Sequence, residues 1–356
     1  MKALLLTAPS HLELTEFPEP AIGEDDVLVR VRACGICGSD IHGWDGSSGR
    51  RHPPLIMGHE ASGVIARVGP RVELWRAGDR VTFDSTLYCG TCDYCRAGQV
   101  NLCDRRRVVG VSPVEYKQHG AFAEYVAVPE RVLYRLPDAL TFEQAAMVEP
   151  VSIAVHAVRR VIPRAGQPGA GESELGGPIT AVVVGSGMIG LLVVQALRWA
   201  GVERVIAVDL EDKRLEAARV LGATTTLNSK AADVVAEVNR LTGGRGADLA
   251  FEVVGISPTL TLALACLRRG GSAVLVGNLS PKTEFPMQAV VTRELTLYGT
   301  CGSAGEYPLC LDLIARGVVR VEPMISAVAP LEEGKVWFDR LSAKDGGRFM
   351  KVILTP

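Results

Sequence analysis

Three groups of residues in this chain have the types and spacings that chemistry needs. The densest is the run CGTCDYCRAGQVNLC, where Cys89, Cys92, Cys95 and Cys103 follow the spacing C-x2-C-x2-C-x7-C. Four thiolates this close in sequence can wrap one tetrahedral ion. An all-cysteine shell leaves no position for a substrate, so the expected occupant is a structural Zn2+. Disulfide pairing is the competing reading, but in a chain with no export signal clustered cysteines are more often metal ligands.

The second group is dispersed. CGICGSDIHGW runs from Cys34 to Trp44, GHE from Gly58 to Glu60, and VEP from Val148 to Pro150. Cys37, His59 and a carboxylate make a soft-to-borderline donor set suited to Zn2+, with a position left open for water or substrate. Taken singly, each has a plainer reading: His59 as a hydrogen-bonded structural histidine, Glu149 as a helix-entry acid, Cys34 as a small buried residue. Their joint presence upstream of the third group gives them weight.

That third group is VVVGSGMIG, with Gly185, Gly187 and Gly190 at the spacing G-x-G-x-x-G. It follows an all-apolar run and opens an amphipathic one, the context in which the pattern means dinucleotide binding. The first glycine permits the tight turn, the second lets a pyrophosphate approach the backbone, and the third lets helix and strand pack closely. The helix N-terminus adds N–H donors and the positive end of its dipole. Asp209 stands 24 residues after Gly185, where a carboxylate would take a ribose 2′-hydroxyl and repel a 2′-phosphate. Leu210 offers that phosphate no cation, so NAD rather than NADP is the expected cofactor.

These residues need elements to hold them. Up to about residue 155 the chain reads as short β runs separated by Gly and Pro, among them VLVRVRACG, ASGVIARVG, DRVTFD and AFAEYVAVP. PRAGQPGAGESELGGP, from Pro163 to Pro178, reads as an exposed loop or a boundary. From Ile179 strand and helix alternate: ITAVVVG, MIGLLVVQALRWAG, RVIAVD, EDKRLEAARVLG, then DLAFEVVG, with TLTLALACLRRGG as helix and SAVLVGN as strand. That alternation is what a parallel sheet with crossover helices requires. Beyond about Leu297 mixed elements return, with a helix near EEGKVWFDRLSA and a closing strand, FMKVILTP.

Composition sets limits on all of this. At 356 residues, 47% hydrophobic and 22% charged, the chain suits two packed domains and not a disordered state. Lys and Arg number 38 against 40 Asp and Glu, a net charge of −2. No basic field therefore recommends nucleic acid or an anionic membrane as a partner. No apolar run approaches the ~18 residues of a membrane span, and the N-terminus lacks a signal-peptide core. With nine cysteines, a reducing, cytoplasmic location is the expectation.

Together CGSDIH, GHE, the four-cysteine cluster, HGAFAEY, VEP and VGSGMIG make the sequence resemble the zinc-dependent medium-chain alcohol and polyol dehydrogenases over essentially its whole length. The resemblance implies an α/β fold in which a chaperonin-10-like β-barrel catalytic domain is split by a Rossmann NAD-binding domain, with the site in the cleft between them. The implied parts are residues 1–158, the first part of the catalytic domain; 159–296, the Rossmann domain; and 297–356, the returning part. One catalytic and one structural zinc per chain, NAD, and a homo-oligomer (tetramer or dimer) are implied with it.

Carried over by position, Cys37 and His59 match catalytic zinc ligands. Glu60 matches a residue that is a direct ligand in polyol-type members and lies behind the metal in others. Glu149 matches a further ligand position, acting directly or through water. Asp40 matches the carboxylate that orients the zinc-bound histidine. Ser39 and His42 match a proton relay that runs through the cofactor ribose to the surface. Ile189, Arg214, Val276 and Gly277 match cofactor contacts beside Gly185, Gly187, Gly190 and Asp209.

The implied reaction is reversible hydride transfer from a secondary alcohol to NAD, giving the ketone. Bound Zn2+ lowers the pKa of a coordinated hydroxyl, as it brings bound water to ~7, and the cofactor carries the redox step. His42 has the intrinsic pKa suited to releasing the proton. EPVSIAVHA, from Glu149 to Ala157, is closer to the polyol than to the threonine dehydrogenases. Sorbitol-type members place Tyr where this chain has Gly43, and Arg-Tyr where it has Gly302-Ser303; many also lack the cysteine cluster. Those departures point away from sorbitol itself and leave other hexitols, sugar-alcohol phosphates, butanediol and other secondary alcohols open. Trp44 reads equally as a pocket wall or a structural residue. The competing classes are a same-fold enzyme for a threonine-type amino alcohol or butanediol, and a non-catalytic NAD-binding relative.

Overall fold

The computed structural model describes residues 1–111, 118–173, 175–343 and 346–356. They divide into two compact units. One comprises Met1–Glu149, Ser303–Gly317 and Val321–Pro356; the other comprises Pro150–Gly302 and Val318–Arg320. The division differs from the expected 158/159 and 296/297. The helix Val148–Arg159 passes to the second unit from Pro150 on. The strand Thr296–Gly299 pairs with Leu267–Leu275 and so extends that unit to Gly302.

In the first unit the described residues form a seven-stranded sheet. Its order is Leu133–Arg135, Arg80–Phe83, Glu60–Val68, Asp26–Ile36, Lys351–Thr355, Ile325–Pro330, with Tyr125–Pro129 also pairing with Asp26–Ile36. The central strand shows why it forms: Val29 and Val31 are buried while Arg30 and Arg32 are exposed, the period of two that a half-buried strand needs. The core beneath gathers Val27, Phe83, Phe122 and Phe338. Trp44 belongs to it, edge-on to Phe338 at 6.1 Å, so its role is packing.

The second unit holds a six-stranded parallel sheet in the spatial order Thr225–Asn228, Arg204–Asp209, Thr180–Val184, Ala247–Glu252, Leu267–Leu275, Thr296–Gly299. In chain order this is 3-2-1-4-5-6, the doubly wound arrangement that binds dinucleotides where the order reverses. Helices cover the sheet, which explains why Val182, Val184, Ile206 and Val208 belong to unbroken apolar runs. One expected boundary shifts. TLTLALACLRRGG is helical only as part of Ser257–Cys266; from Leu267 the backbone is extended and lies opposite Ala247, so sheet pairing overrides the local helical pattern.

Most of the Pro163 to Pro178 stretch is turns and coil, closed by a bridge between Glu172 and Pro178. Glu174 lies outside the described residues. The Ser173 hydroxyl donates to Asp248 Oδ1 at 2.8 Å, which pins the loop to the start of the interior strand Ala247–Glu252. No helix among the described residues is long and apolar enough to cross a membrane.

Candidate functional site

Neighbouring strands of the first unit's sheet converge on one end. Asp26–Ile36 delivers Cys37 at its exit, and Glu60 starts the next strand, directly opposite Gly35. Lys351 begins the strand on the other side, where Val352 pairs with Ile36. Gly35 is required here: a Cβ on it would sit 2.3 Å from Glu60 Oε2. Gly58, at φ +92°, provides the turn that sets His59 beside them.

Cys37 then caps the helix Gly38–Trp44. Its sulfur accepts from the Ser39 N–H at 3.4 Å, and Asp40 Oδ2 accepts from the Cys37 N–H at 3.1 Å. One donor atom each from Cys37, His59 and Glu60 lies within 4.8 Å of the others. Glu149, in the first turn of Val148–Arg159, stands outside that close set.

The electrostatics favour a cation. Burial opposes a charge on His59, but the negative charge of Asp40 beside it and then Cys37 outweigh burial and raise the imidazole well above its usual value. Burial would also raise Asp40; His59, Arg51 and the Cys37 N–H overcome it and hold the carboxyl at about 2. His59 Nδ1 lies 3.4 Å from Asp40 Oδ1 without the alignment of a hydrogen bond. Burial pushes Glu149 up to about 7, against the pull of His59 and with the help of Glu60. Burial alone would lower Lys351, yet Glu60 and Cys37 keep its ammonium charged. A soft thiolate, an imidazole and a carboxylate at one point fit Zn2+ by donor chemistry.

The four cysteines Cys89, Cys92, Cys95 and Cys103 also gather within 4.8 Å, and none is in a disulfide. Cys92 and Cys95 sulfurs are 3.5 Å apart, Cys89 and Cys95 3.9 Å. A tetrahedral Zn2+ with ~2.3 Å bonds spaces its sulfurs ~3.8 Å apart, so the lobe already has the shape. The N–H groups of Thr91 and Cys92 hold the Cys89 thiol at about 5. Burial and the Cys92 sulfur push Cys95 up to about 12. Crowded sulfurs sharing protons in this way are what a divalent ion neutralises.

In the second unit Gly185 takes φ +101°, and a Cβ on Gly190 would lie 1.9 Å from the Gly185 carbonyl oxygen. A Cβ on Gly187 would meet nothing within 4 Å, which leaves room for a pyrophosphate at the N-terminus of Met188–Trp199, with Ile189 in its first turn. Asp209 closes its strand, Oδ2 accepting from the Ser186 N–H at 2.7 Å and Oδ1 from those of Leu210 and Glu211. Arg214 Nη1 lies 3.9 Å from Asp209 Oδ2. Val276 and Gly277 both donate their N–H to the Glu252 carbonyl at the end of the neighbouring strand.

Ser39 and His42 lie three residues apart on the exposed side of Gly38–Trp44, and the Ser39 hydroxyl is 3.5 Å from His59 Nε2. Three features had no sequence signal in the reading above. Lys351 Nζ grips both Glu60 oxygens, at 2.8 and 2.5 Å. Arg51 Nη2 reaches Asp40 and Ser39. Asp84, buried, accepts from Ser303 Oγ at 3.2 Å and the Thr86 N–H at 2.8 Å, and burial still pushes its carboxyl up to about 6. Only the run of basic residues in GRRHPP, ahead of GHE, could have drawn attention to Arg51.

Two family models and many known proteins match the chain. The family described as "Alcohol dehydrogenase GroES-like domain" matches residues 23–138, and "Zinc-binding dehydrogenase" matches residues 189–316. Sorbitol dehydrogenase of Bacillus subtilis (strain 168) is 35% identical over 361 residues, covering 100% of this chain and 97% of the relative. The structure of 2R,3R-butanediol dehydrogenase from Bacillus subtilis is similar with a TM-score of 0.85 at 31% identity, over 100% of this chain and 99% of that one. Galactitol-1-phosphate dehydrogenase from Escherichia coli reaches 0.89 at 25% identity, over 100% of both chains.

Proposed function

The chain belongs to the zinc-dependent medium-chain alcohol and polyol dehydrogenases, and on that premise we propose that it oxidises a secondary hydroxyl of a polyol or sugar alcohol to the ketone, reversibly, with NAD as acceptor. The observation that carries the reading is the close set of Cys37, His59 and Glu60 in one chain with a complete dinucleotide fingerprint. The relatives named for sorbitol, butanediol and galactitol-1-phosphate support a substrate with hydroxyls on neighbouring carbons.

In this proposal Cys37, His59 and Glu60 hold the catalytic zinc, with Glu149 beside it as a direct or water-mediated partner. When bound there, zinc supplies the Lewis acidity that brings a hydroxyl's pKa towards neutrality. When bound at Gly185, Gly187 and Gly190, NAD supplies the hydride acceptor. Asp40 steers His59, and Ser39 Oγ takes the proton leaving the substrate hydroxyl. His42, exposed on the same helix, passes that proton to solvent. Asp209 favours the 2′-hydroxyl of NAD over a 2′-phosphate, with Ile189, Arg214, Val276 and Gly277 around the rest of the cofactor. Cys89, Cys92, Cys95 and Cys103 hold the structural zinc.

Nine free cysteines support a reducing, cytoplasmic setting. Exposed Phe285, Met287 and Val291, ahead of the edge strand Thr296–Gly299, support assembly into a homo-oligomer.

The test is NAD reduction by the zinc-loaded protein over hexitols, pentitols, polyol phosphates, butanediols and threonine. Activity confined to polyols and diols is expected; activity confined to threonine would reassign the substrate class. Cys37→Ser is expected to lower kcat/KM at least ~100-fold and remove one zinc per chain; a variant with full activity would sink the zinc mechanism.

A further inference from the structure

We propose that Arg51 is a positioning residue for this site and that position 43 is glycine in order to admit it. The inference rests on the reaction proposed above. The Arg51 side chain is 1% exposed. Its Nη2 donates to Asp40 Oδ1 and to Ser39 Oγ, each at 3.2 Å. Asp40 flanks His59 Nδ1, and Ser39 faces His59 Nε2. One guanidinium thus fixes both the carboxylate that steers the imidazole and the hydroxyl placed to receive a proton.

The direction of these bonds has a consequence for the relay. A serine hydroxyl has one proton and two lone pairs. Arg51 occupies one lone pair, which leaves the other to accept from the substrate and the proton to be donated onward. Proton movement through Ser39 is thereby given a direction. Asp40 in turn is fully buried, and Arg51 balances its charge at Oδ1, the oxygen that also lies 3.4 Å from His59 Nδ1.

Gly43 supplies the independent observation. It lies inside Gly38–Trp44 and is not among the glycines with positive φ, so the backbone does not need glycine there. In a helix interior alanine is ordinarily preferred. A Cβ at this position, however, would lie 2.7 Å from Arg51 Cδ and 2.8 Å from Cγ and Nε. Those atoms are the shaft of a buried side chain, which can move aside only by releasing Asp40 and Ser39. Gly43 and Arg51 therefore form one device, and a larger residue at position 43 would exclude it.

The experiment is a double-mutant cycle on the zinc-loaded full-length chain: Arg51→Gln, Gly43→Ala, their combination, and Arg51→Lys. It reads kcat and KM for the best polyol, NAD affinity, and zinc retention against a chelator. Arg51→Gln and Gly43→Ala are each expected to lower kcat ~10- to 100-fold and loosen zinc, with NAD affinity unchanged. The combination is expected to be no worse than the poorer single variant, because alanine at 43 already displaces the guanidinium. Arg51→Lys keeps a charge beside Asp40 and should restore zinc retention more than kcat. Additive losses, or a Gly43→Ala protein with wild-type kcat and zinc retention, overturn the proposal. Should Arg51→Gln not fold, the Gly43→Ala and Arg51→Lys comparison decides by the same readouts. If the wild-type chain oxidises none of the alcohols, the proposed reaction fails, and zinc retention across the variants still decides for or against the Gly43–Arg51 device.

Discussion

At Glu60 one carboxylate has both its oxygens held by the Lys351 ammonium and would, in the proposed site, also face the metal that Cys37 and His59 share. Both partners of the Glu60–Lys351 pair are almost fully buried, at 1% and 3% side-chain exposure. Removing one partner of such a pair leaves an uncompensated charge and costs about 3–5 kcal/mol. Lys351→Met is expected to lose that much in urea denaturation of the metal-free protein, and to regain part of it in saturating zinc. Equal losses with and without zinc would mean that Glu60 does not meet the metal. Asp84 makes a second prediction from charge. Its folded pKa of about 6 lies above the ordinary 3.8. Its contribution to stability is therefore full below pH 3.8 and is lost as pH rises through 6, by up to ~3 kcal/mol. Asp84→Asn should be more stable than wild type above pH 7, with the difference shrinking towards pH 4 in thermal melts. Cys37 and His59 were visible in the sequence because metal-ligand types sit in short, recognisable runs. Lys351 was not: a buried partner 291 residues away leaves no spacing to read.

Among the elements, the helix Gly38–Trp44 does most to assemble the site, since its cap is Cys37 and its first turns carry Ser39, Asp40 and His42. The cysteine lobe works differently. It contains only a four-residue helix, Asp93–Arg96, with no buried residue, and a 3-10 turn, Val100–Leu102, so a bound metal would add much to its stability. Cys103→Ser is accordingly expected to lose one zinc per chain and lower the thermal midpoint, while kcat per folded chain stays within about a factor of a few. A collapse of kcat with the midpoint intact would give the lobe a direct part in the reaction. The parallel strands were legible because strands covered on both faces leave apolar runs. The end of Ser257–Cys266 was not, because LRRGG carries no stop signal before Leu267 and pairing with Ala247 decides it.

For the whole molecule, a GroES-like β domain accompanied by a Rossmann domain is the fold the sequence led us to expect and the one its relatives share. Ligand linkage tests its cofactor preference without any turnover. NAD at a hundred times its Kd should stabilise the chain by ~2.7 kcal/mol and raise the thermal midpoint. NADP at the same concentration should move it far less, because Asp209 meets the 2′-phosphate with a like charge; equal shifts would remove Asp209 from the discrimination. The first unit is also drawn from three separate stretches of the chain. A ribosome therefore makes Cys37, His59 and Glu60 early, then the entire six-stranded sheet, and only afterwards Lys351. The cysteine lobe, complete by Cys103, can take its ion on a nascent chain. The site around Glu60 gains Lys351 only with the last strand, so metals held at these two places would be secured at different moments in the life of the polypeptide.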